Sequence, residues 1–193
     1  MNCMNRRELI KYISLLTGAS VAGADFFLSG CKSADKPSTG LFTEQDISFF
    51  DEVAETILPK TDTPGAKDAG VGKFMASYST DCYDEIQLKT FRDGKDKLNE
   101  AADKKYDAGF LQLSASQRQE LLTAIDGEAK KYNEEKDQSK KDQPPHYFTL
   151  MKQLVLLGFF TSKPGATQVL RYVPVPGKYQ GCIDYKAGET SWA

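Results

Sequence analysis

Apolar side chains recur at helical spacing through most of the chain, and no segment sustains an alternation with a period of two residues. The first helical pattern follows Thr43, which forms a capping-box sequence with Asp46, and Pro59 ends it. Its apolar positions are Ile47, Phe50, Val53, Ala54, Ile57 and Leu58. The pattern therefore predicts a first helix between Thr43 and Pro59.

The same periodicity predicts four further helices. The second spans residues 72–82, the third spans residues 85–104, and a capping box of Ser114 and Gln117 opens the fourth. The fifth covers residues 147–160, the most apolar stretch after the N-terminal region. A membrane span needs about 20 apolar residues, so this shorter stretch is predicted to be a buried core helix.

The segments between these helices are rich in turn formers or charges. Residues 60–71 hold two glycines and a proline, and residues 134–143 carry no apolar side chain. Residues 165–171 are predicted to form a short helix, and the prolines and glycines of residues 174–181 predict an irregular tail. The fold class is therefore all-α: an irregular helical bundle of about five helices with long Pro- and Gly-rich loops and a coil C-terminal tail.

Residues 1–30 have the pattern of an export signal. Arg6, Arg7 and Lys11 make its start positive, and a mildly apolar stretch follows. The paired arginines resemble the twin-arginine signal, which exports proteins that are already folded. An ordinary secretory signal that happens to contain two adjacent arginines is the alternative.

The signal ends in a sequence typical of bacterial lipoproteins. Residues 28–31, Leu-Ser-Gly-Cys, resemble a lipobox, which predicts cleavage before Cys31 and a lipid on its thiol. Each buried methylene of such a lipid contributes about 0.8 kcal/mol to membrane attachment. We therefore expect a signal peptide over residues 1–30, a tether over 31–42 and one domain over 43–193, held at a membrane on the periplasmic or cell-envelope side.

Charge and cysteine content limit the partners and the disulfides that the chain is expected to have. The formal net charge is −2, and no basic stripe with interleaved aromatic residues is present, so a nucleic-acid partner is not expected. Cys3 falls within the signal region and Cys31 takes the lipid. Cys82 and Cys182 remain as candidates for a disulfide in an oxidising compartment, with two independent buried thiols as the alternative.

Two segments carry motifs that are shared with a known family. The first is Ile-Leu-Pro-Lys-Thr-Asp-Thr-Pro-Gly-Ala at residues 57–66, followed by Ala69-Gly70-Val71 and Phe74. The second comprises Gly-Phe-Phe-Thr-Ser at 158–162, Gly-Ala-Thr at 165–167, Tyr-Val-Pro-Val-Pro-Gly at 172–177, and Gly181-Cys182. Together with the signal, they resemble the gluconate 2-dehydrogenase subunit 3 family, the small subunit of periplasmic flavin-dependent sugar dehydrogenases.

The resemblance implies an accessory role. In that family the small subunit is not catalytic, and FAD sits in a large subunit of the glucose-methanol-choline type that passes electrons to a cytochrome c subunit. The small subunit supplies the export signal and helps the large one to mature. No cofactor is therefore expected in this chain. The lipobox at Cys31 departs from a freely soluble subunit and implies that this member also tethers its complex to the membrane.

The residues themselves offer little chemistry. His146 is the only histidine, and a structural role is expected for it because zinc sites need several neighbouring ligands. The sequence contains no haem-attachment motif and no Gly-rich nucleotide motif. No catalytic, cofactor-binding or metal-binding residues are therefore predicted. A cysteine–histidine pair using Cys82 or Cys182 would require that the two cysteines are not bridged.

Two segments are candidates for contact with a partner. Asp62, Thr63, Pro64 and Gly65 form either a rigid connection or a docking loop, because a loop of low flexibility loses little entropy on binding. The second candidate is the tail, through residues Tyr172, Pro174, Pro176 and Tyr179.

Three functions are compatible with the sequence. The leading interpretation is the lipid-anchored accessory subunit. The alternatives are a stand-alone ligand-binding envelope lipoprotein, which requires a concave pocket with converging polar groups, and an enzyme in its own right.

Overall fold

Five α-helices form the fold in a computed structural model, which describes residues 41–136, 143–175, 177–178 and 181–193. The described residues belong to the unit Thr39–Ala193, and the other unit, Met1–Ser38, lies outside them. The predicted export and lipidation residues and two of the tail candidates also lie outside the described residues: Arg6, Arg7, Lys11, Cys31, Pro176 and Tyr179.

The helices follow the sequence pattern closely. They are α1 (Glu44–Ile57), α2 (Val71–Cys82), α3 (Glu85–Tyr106), α4 (Ala115–Glu135) and α5 (Tyr147–Thr161). A 3-10 turn at Phe110–Gln112 precedes α4, and a π-helical turn at Gly165–Val169 follows α5. Within the described ranges there is no strand, only an isolated bridge between Arg171 and Trp192. The predicted all-α class is confirmed.

Local sequence explains where the helices begin. In a capping box, the N-cap side chain accepts a hydrogen bond from the third helical amide, and the third side chain accepts one from the N-cap amide. Three helices begin this way: Thr43 pairs with Asp46, Asp84 with Gln87, and Ser114 with Gln117. The first and third boxes were predicted from the sequence, and both are confirmed.

Helix α5 is the centre of the bundle, as its apolar sequence predicted. It contacts all four other helices and buries side chains on most of its surface, including Phe148, Met151, Leu154 and Val155. Gly158 lets α2 approach, because a Cβ there would lie 2.5 Å from the Phe74 ring. None of the helices in the described ranges is long and apolar enough to cross a membrane.

The core includes a residue that precedes α1. Phe42, at the end of the segment expected to be a tether, is buried and belongs to the core. Its ring lies 5.4 Å from that of Phe50 and 6.0 Å from that of Phe91, both edge-on. The aromatic core therefore fixes the chain just before α1 starts.

The predicted disulfide is not formed. Cys82 is the last residue of α2, Cys182 lies in the C-terminal coil, and both are free and exposed. The coil is attached at Arg171, whose backbone exchanges hydrogen bonds with Ser191 and Ala193. These hydrogen bonds tie the end of the tail to the segment after α5. Because both thiols are exposed, the alternative prediction of two buried thiols is wrong as well.

Candidate docking surface

One carboxylate braces the loop between α1 and α2. Glu55 lies near the end of α1, and its Oε1 accepts a hydrogen bond of 2.9 Å from the amide of Lys60. Its Oε2 accepts one of 2.9 Å from the amide of Lys67, at the other side of the loop. Both sides of the loop are thus bound to the same side chain, which fixes the shape of the segment between them.

Further hydrogen bonds close the loop from within. The amide of Ala66 donates to the carbonyl of Leu58 at 3.0 Å, and that of Gly65 donates to Oδ2 of Asp68 at 3.3 Å. Lys60 Nζ lies 3.0 Å from the same Asp68 oxygen. The hydrogen bond from Lys60, followed by that from Gly65, lowers the pKa of Asp68. Its carboxylate therefore stays ionised and keeps both partners.

Asp51 of α1 caps the next helix from outside. Its Oδ1 accepts a hydrogen bond of 2.9 Å from the amide of Gly72, in the first turn of α2. The N-cap of that helix, Gly70, has no side chain to do so. Burial raises the pKa of Asp51, and the hydrogen bond from Gly72 opposes the rise.

An ion-pair network ties the loop to the other side of the bundle. Glu52 accepts hydrogen bonds from Lys67 of the loop and from Arg118 of α4. Arg118 also donates to the carbonyl oxygens of Phe110 at 3.1 Å and Leu111 at 2.7 Å. Burial raises the pKa of Glu52, but the hydrogen bond from Lys67 and the charge of Arg118 outweigh it and lower the pKa overall.

The braced loop forms one wall of an open groove. The groove has a volume of about 470 Å³, and residues 60–64 with Asp68 face Lys163, Pro164 and Gln168 across it. The structure thus brings together the two segments whose motifs stood a hundred residues apart. Of the predicted docking residues, Asp62, Thr63 and Pro64 line this groove, whereas Gly65 is buried behind the loop against Glu55.

The opposite wall is a tight turn after α5. Ser162 Oγ donates to the carbonyl of Phe159 at 2.6 Å and accepts a hydrogen bond of 3.1 Å from the amide of Gly165. A Cβ at Gly165 would lie 1.9 Å from the Phe159 oxygen, so only glycine fits this turn. Both walls of the groove are therefore held by short, specific contacts.

The tail makes a second surface. The guanidinium of Arg171 lies 4.7 Å from the centre of the Trp192 ring and 3.4 Å from the Glu189 carboxylate, and so closes the tail on itself. Tyr172 and Pro174, the predicted tail residues that the structure describes, are exposed. In the described part of the tail, the following large apolar side chains are exposed: Tyr172, Val173, Val175, Ile183, Tyr185 and Trp192.

Sequence reasoning missed several residues of these surfaces. In the sequence, Glu55 is only a polar position on an amphipathic helix, and nothing there indicates that it binds the loop. Likewise, no sequence pattern indicates the contact between Arg171 and Trp192. Lys163 and Pro164 lie inside the second motif segment but between its quoted residues. Among the residues that the structure describes, no group of three or more His, Cys, Asp or Glu side chains is placed to hold a metal ion.

The described residues define an all-helical domain with a braced surface loop beside an open groove. The family of that domain is identified by its sequence. The family model for gluconate 2-dehydrogenase subunit 3 matches residues 44–177, from the start of α1 into the tail, and the chain belongs to that family. The family description makes it an accessory subunit of a dehydrogenase complex. No curated protein and no solved structure matches the chain.

Proposed function

We propose that this chain is the non-catalytic, lipid-anchored small subunit of a membrane-associated, flavin-dependent sugar or sugar-acid dehydrogenase. It escorts the export and maturation of a large catalytic subunit of the glucose-methanol-choline type. FAD belongs to that large subunit, from which electrons pass to a cytochrome c subunit. The observation that carries the proposal is the family match over the whole helical domain, including both walls of the groove.

The groove supplies a surface suited to a protein partner. Its loop is braced at both sides by Glu55, so binding costs little conformational entropy there. It also offers mixed chemistry, with charge from Asp62 and Lys163 and apolar surface from Pro64 and Pro164. The exposed tyrosines of the tail add amphipathic contact area of the kind that interfaces favour.

The N-terminal sequence supplies the escort and the anchor. A twin-arginine signal on the small subunit exports a folded complex, so a large subunit already bound to it crosses the membrane as a passenger. The lipid on Cys31 then holds the complex at the periplasmic face of a membrane through the burial of its acyl chains.

The escort role is tested by changing Arg6 and Arg7 together to lysine in the native host. The large flavoprotein is expected to disappear from the envelope fraction and to accumulate in the cytoplasm, because its only export signal is lost. A matched control, Lys104→Arg with Lys105→Arg in the mature domain, leaves export unchanged. Normal export of the flavoprotein with the Arg6→Lys, Arg7→Lys chain would overturn the proposal.

A further inference from the structure

His146 caps the first turn of α5 with its own ring. Its Nδ1 accepts a hydrogen bond of 3.3 Å from the amide of Phe148. Its backbone amide donates to Oδ1 of Asn133 on α4 at 3.2 Å, and Asn133 Nδ2 in turn donates to Thr149 Oγ1 at 2.7 Å. The start of α5 and the last turns of α4 are therefore joined around this one histidine.

The ring lies in a second groove, between α3 and the start of α5, with a volume of about 690 Å³. The Tyr147 ring centre is 4.3 Å away and the Tyr132 ring centre 5.6 Å away. The charged and titratable groups around His146 come from every neighbouring element: Glu85, Lys89, Asp93 and Lys97 from α3, Glu128 and Tyr132 from α4, and Tyr147 from α5.

The cap exists only while the imidazole is neutral. The lone pair on Nδ1 accepts the Phe148 proton, and a protonated ring carries N–H donors at both nitrogens. Protonation therefore replaces an accepted hydrogen bond by two facing donors. It also places a positive charge at the positive end of the α5 dipole, where cations are unfavourable.

We infer that His146 is a proton-sensitive latch: its protonation breaks the cap on the Phe148 amide and loosens the first turn of α5, while the hydrogen bonds of that turn to Asn133 of α4 remain. The wall of the groove formed by Pro144, Pro145 and Tyr147 loosens with it. The inference concerns the fold itself and stands apart from the proposed dehydrogenase partner.

The surroundings of His146 favour its neutral form in the folded state, as the cap requires. Burial lowers the pKa of His146 from its usual value near 6.5; the charge of Glu128 opposes this shift and that of Lys97 adds to it. Because the folded state binds this proton less readily than the unfolded state, stability falls as the pH drops below about 6.5. The loss stops once the pH has passed the lowered folded pKa.

The test is a pH titration of the full chain, with the His146 ring resonances and the protection of backbone amides against exchange measured together. When His146 titrates, the protection factor of the Phe148 amide, corrected for intrinsic exchange, is expected to fall about fivefold. Constant protection of that amide across the titration of the ring would overturn the inference, and this arm needs no variant.

His146→Asn provides the second arm, because asparagine accepts the same cap hydrogen bond and does not titrate in this range. In this variant the protection of Phe148 is expected to be independent of pH between 7.5 and 5. Lys104→Arg, at an exposed position of α3, serves as the control and keeps the wild-type dependence. A His146→Asn chain that folds and still loses protection with the wild-type midpoint contradicts the latch.

Discussion

At the scale of single residues, the Glu55 carboxylate determines the shape of the loop that carries the family motif. It accepts hydrogen bonds from the backbone amides of both Lys60 and Lys67, one at each side of the loop. A hydrogen bond to a charged acceptor stabilises a fold by more than one between neutral groups, and at the exposed residues Lys60 and Lys67 water replaces part of that contribution when the acceptor is lost.

We therefore expect Glu55→Ala to lower the free energy of unfolding by about 1–2 kcal/mol, since two backbone donors at exposed residues lose a charged acceptor. Chemical denaturation measures the change. Glu100→Ala is the matched control, because Glu100 is exposed on α3, and it is expected to stay within about 0.5 kcal/mol of wild type. Equal effects of the two substitutions would mean that Glu55 does not brace the loop.

Two glycines respond in opposite ways to the same added methyl group. Gly165→Ala places a Cβ against the Phe159 carbonyl and is expected to cost about 3 kcal/mol, because the turn has no room to yield. Gly127→Ala, in the middle of α4 with nothing within 4 Å, is expected to stabilise by about 0.5–1 kcal/mol. Thermal unfolding distinguishes the two, and a harmless Gly165→Ala would contradict the turn geometry.

These residue contacts could not be predicted from the sequence. The donors that Glu55 binds are backbone amides, which every residue except proline carries, so no side-chain pattern marks them. The capping of α2 by Asp51 leaves no local sequence pattern either, since donor and acceptor lie on different helices. His146 was predicted to be structural, and the structure gives that role a geometry as the cap of α5.

At the scale of helices, the sequence was far more informative. The capping boxes at Thr43 and Ser114 and the apolar run of α5 are local signals, and local signals fix where a helix begins and which face it buries. The contact between the Arg171 guanidinium and the Trp192 ring could not be predicted, because the two residues are far apart in sequence. The disulfide between Cys82 and Cys182 was predicted only because the expected compartment is oxidising and two cysteines remained. Neither observation determines how far apart the two thiols lie in the fold.

Helices α4 and α5 are linked by an ion pair that gives stability a dependence on acid. The hydrogen bond from Lys152 lowers the pKa of Asp126; burial opposes the shift, and Lys130 supports it. Because the folded pKa is depressed, this contribution is present above the unfolded value near pH 4. It is lost as the pH falls through the lower folded value.

Asp126→Asn is therefore expected to reduce stability at pH 7 by about 0.5–1 kcal/mol. The difference from wild type should vanish at a pH below the folded pKa, where the native carboxyl is protonated as well. Denaturant unfolding of both proteins across this range measures it. Asp103→Asn, at an exposed position of α3, is the control; a pH-independent deficit in Asp126→Asn would contradict the ion-pair account.

At the scale of the whole molecule, the structure brings together two segments that lie about a hundred residues apart in the sequence. The motif segments around Pro64 and after Gly158 form the two walls of one groove, and the family match covers both. The all-α class and the family were predictable because they rest on periodicity and on motifs. The groove was not, because it depends on how α5 places residues 163–168 opposite the loop.

The most direct test of the central claim is purification of the full chain from native membranes, with its companions identified by mass spectrometry and flavin absorbance. The account predicts one large flavoprotein bound to the chain. It also predicts that Asp62→Lys combined with Lys163→Glu lowers the amount bound at least tenfold, while Lys104→Glu, on α3, does not. A chain recovered without flavin or a large partner would contradict the account and favour a stand-alone ligand-binding lipoprotein.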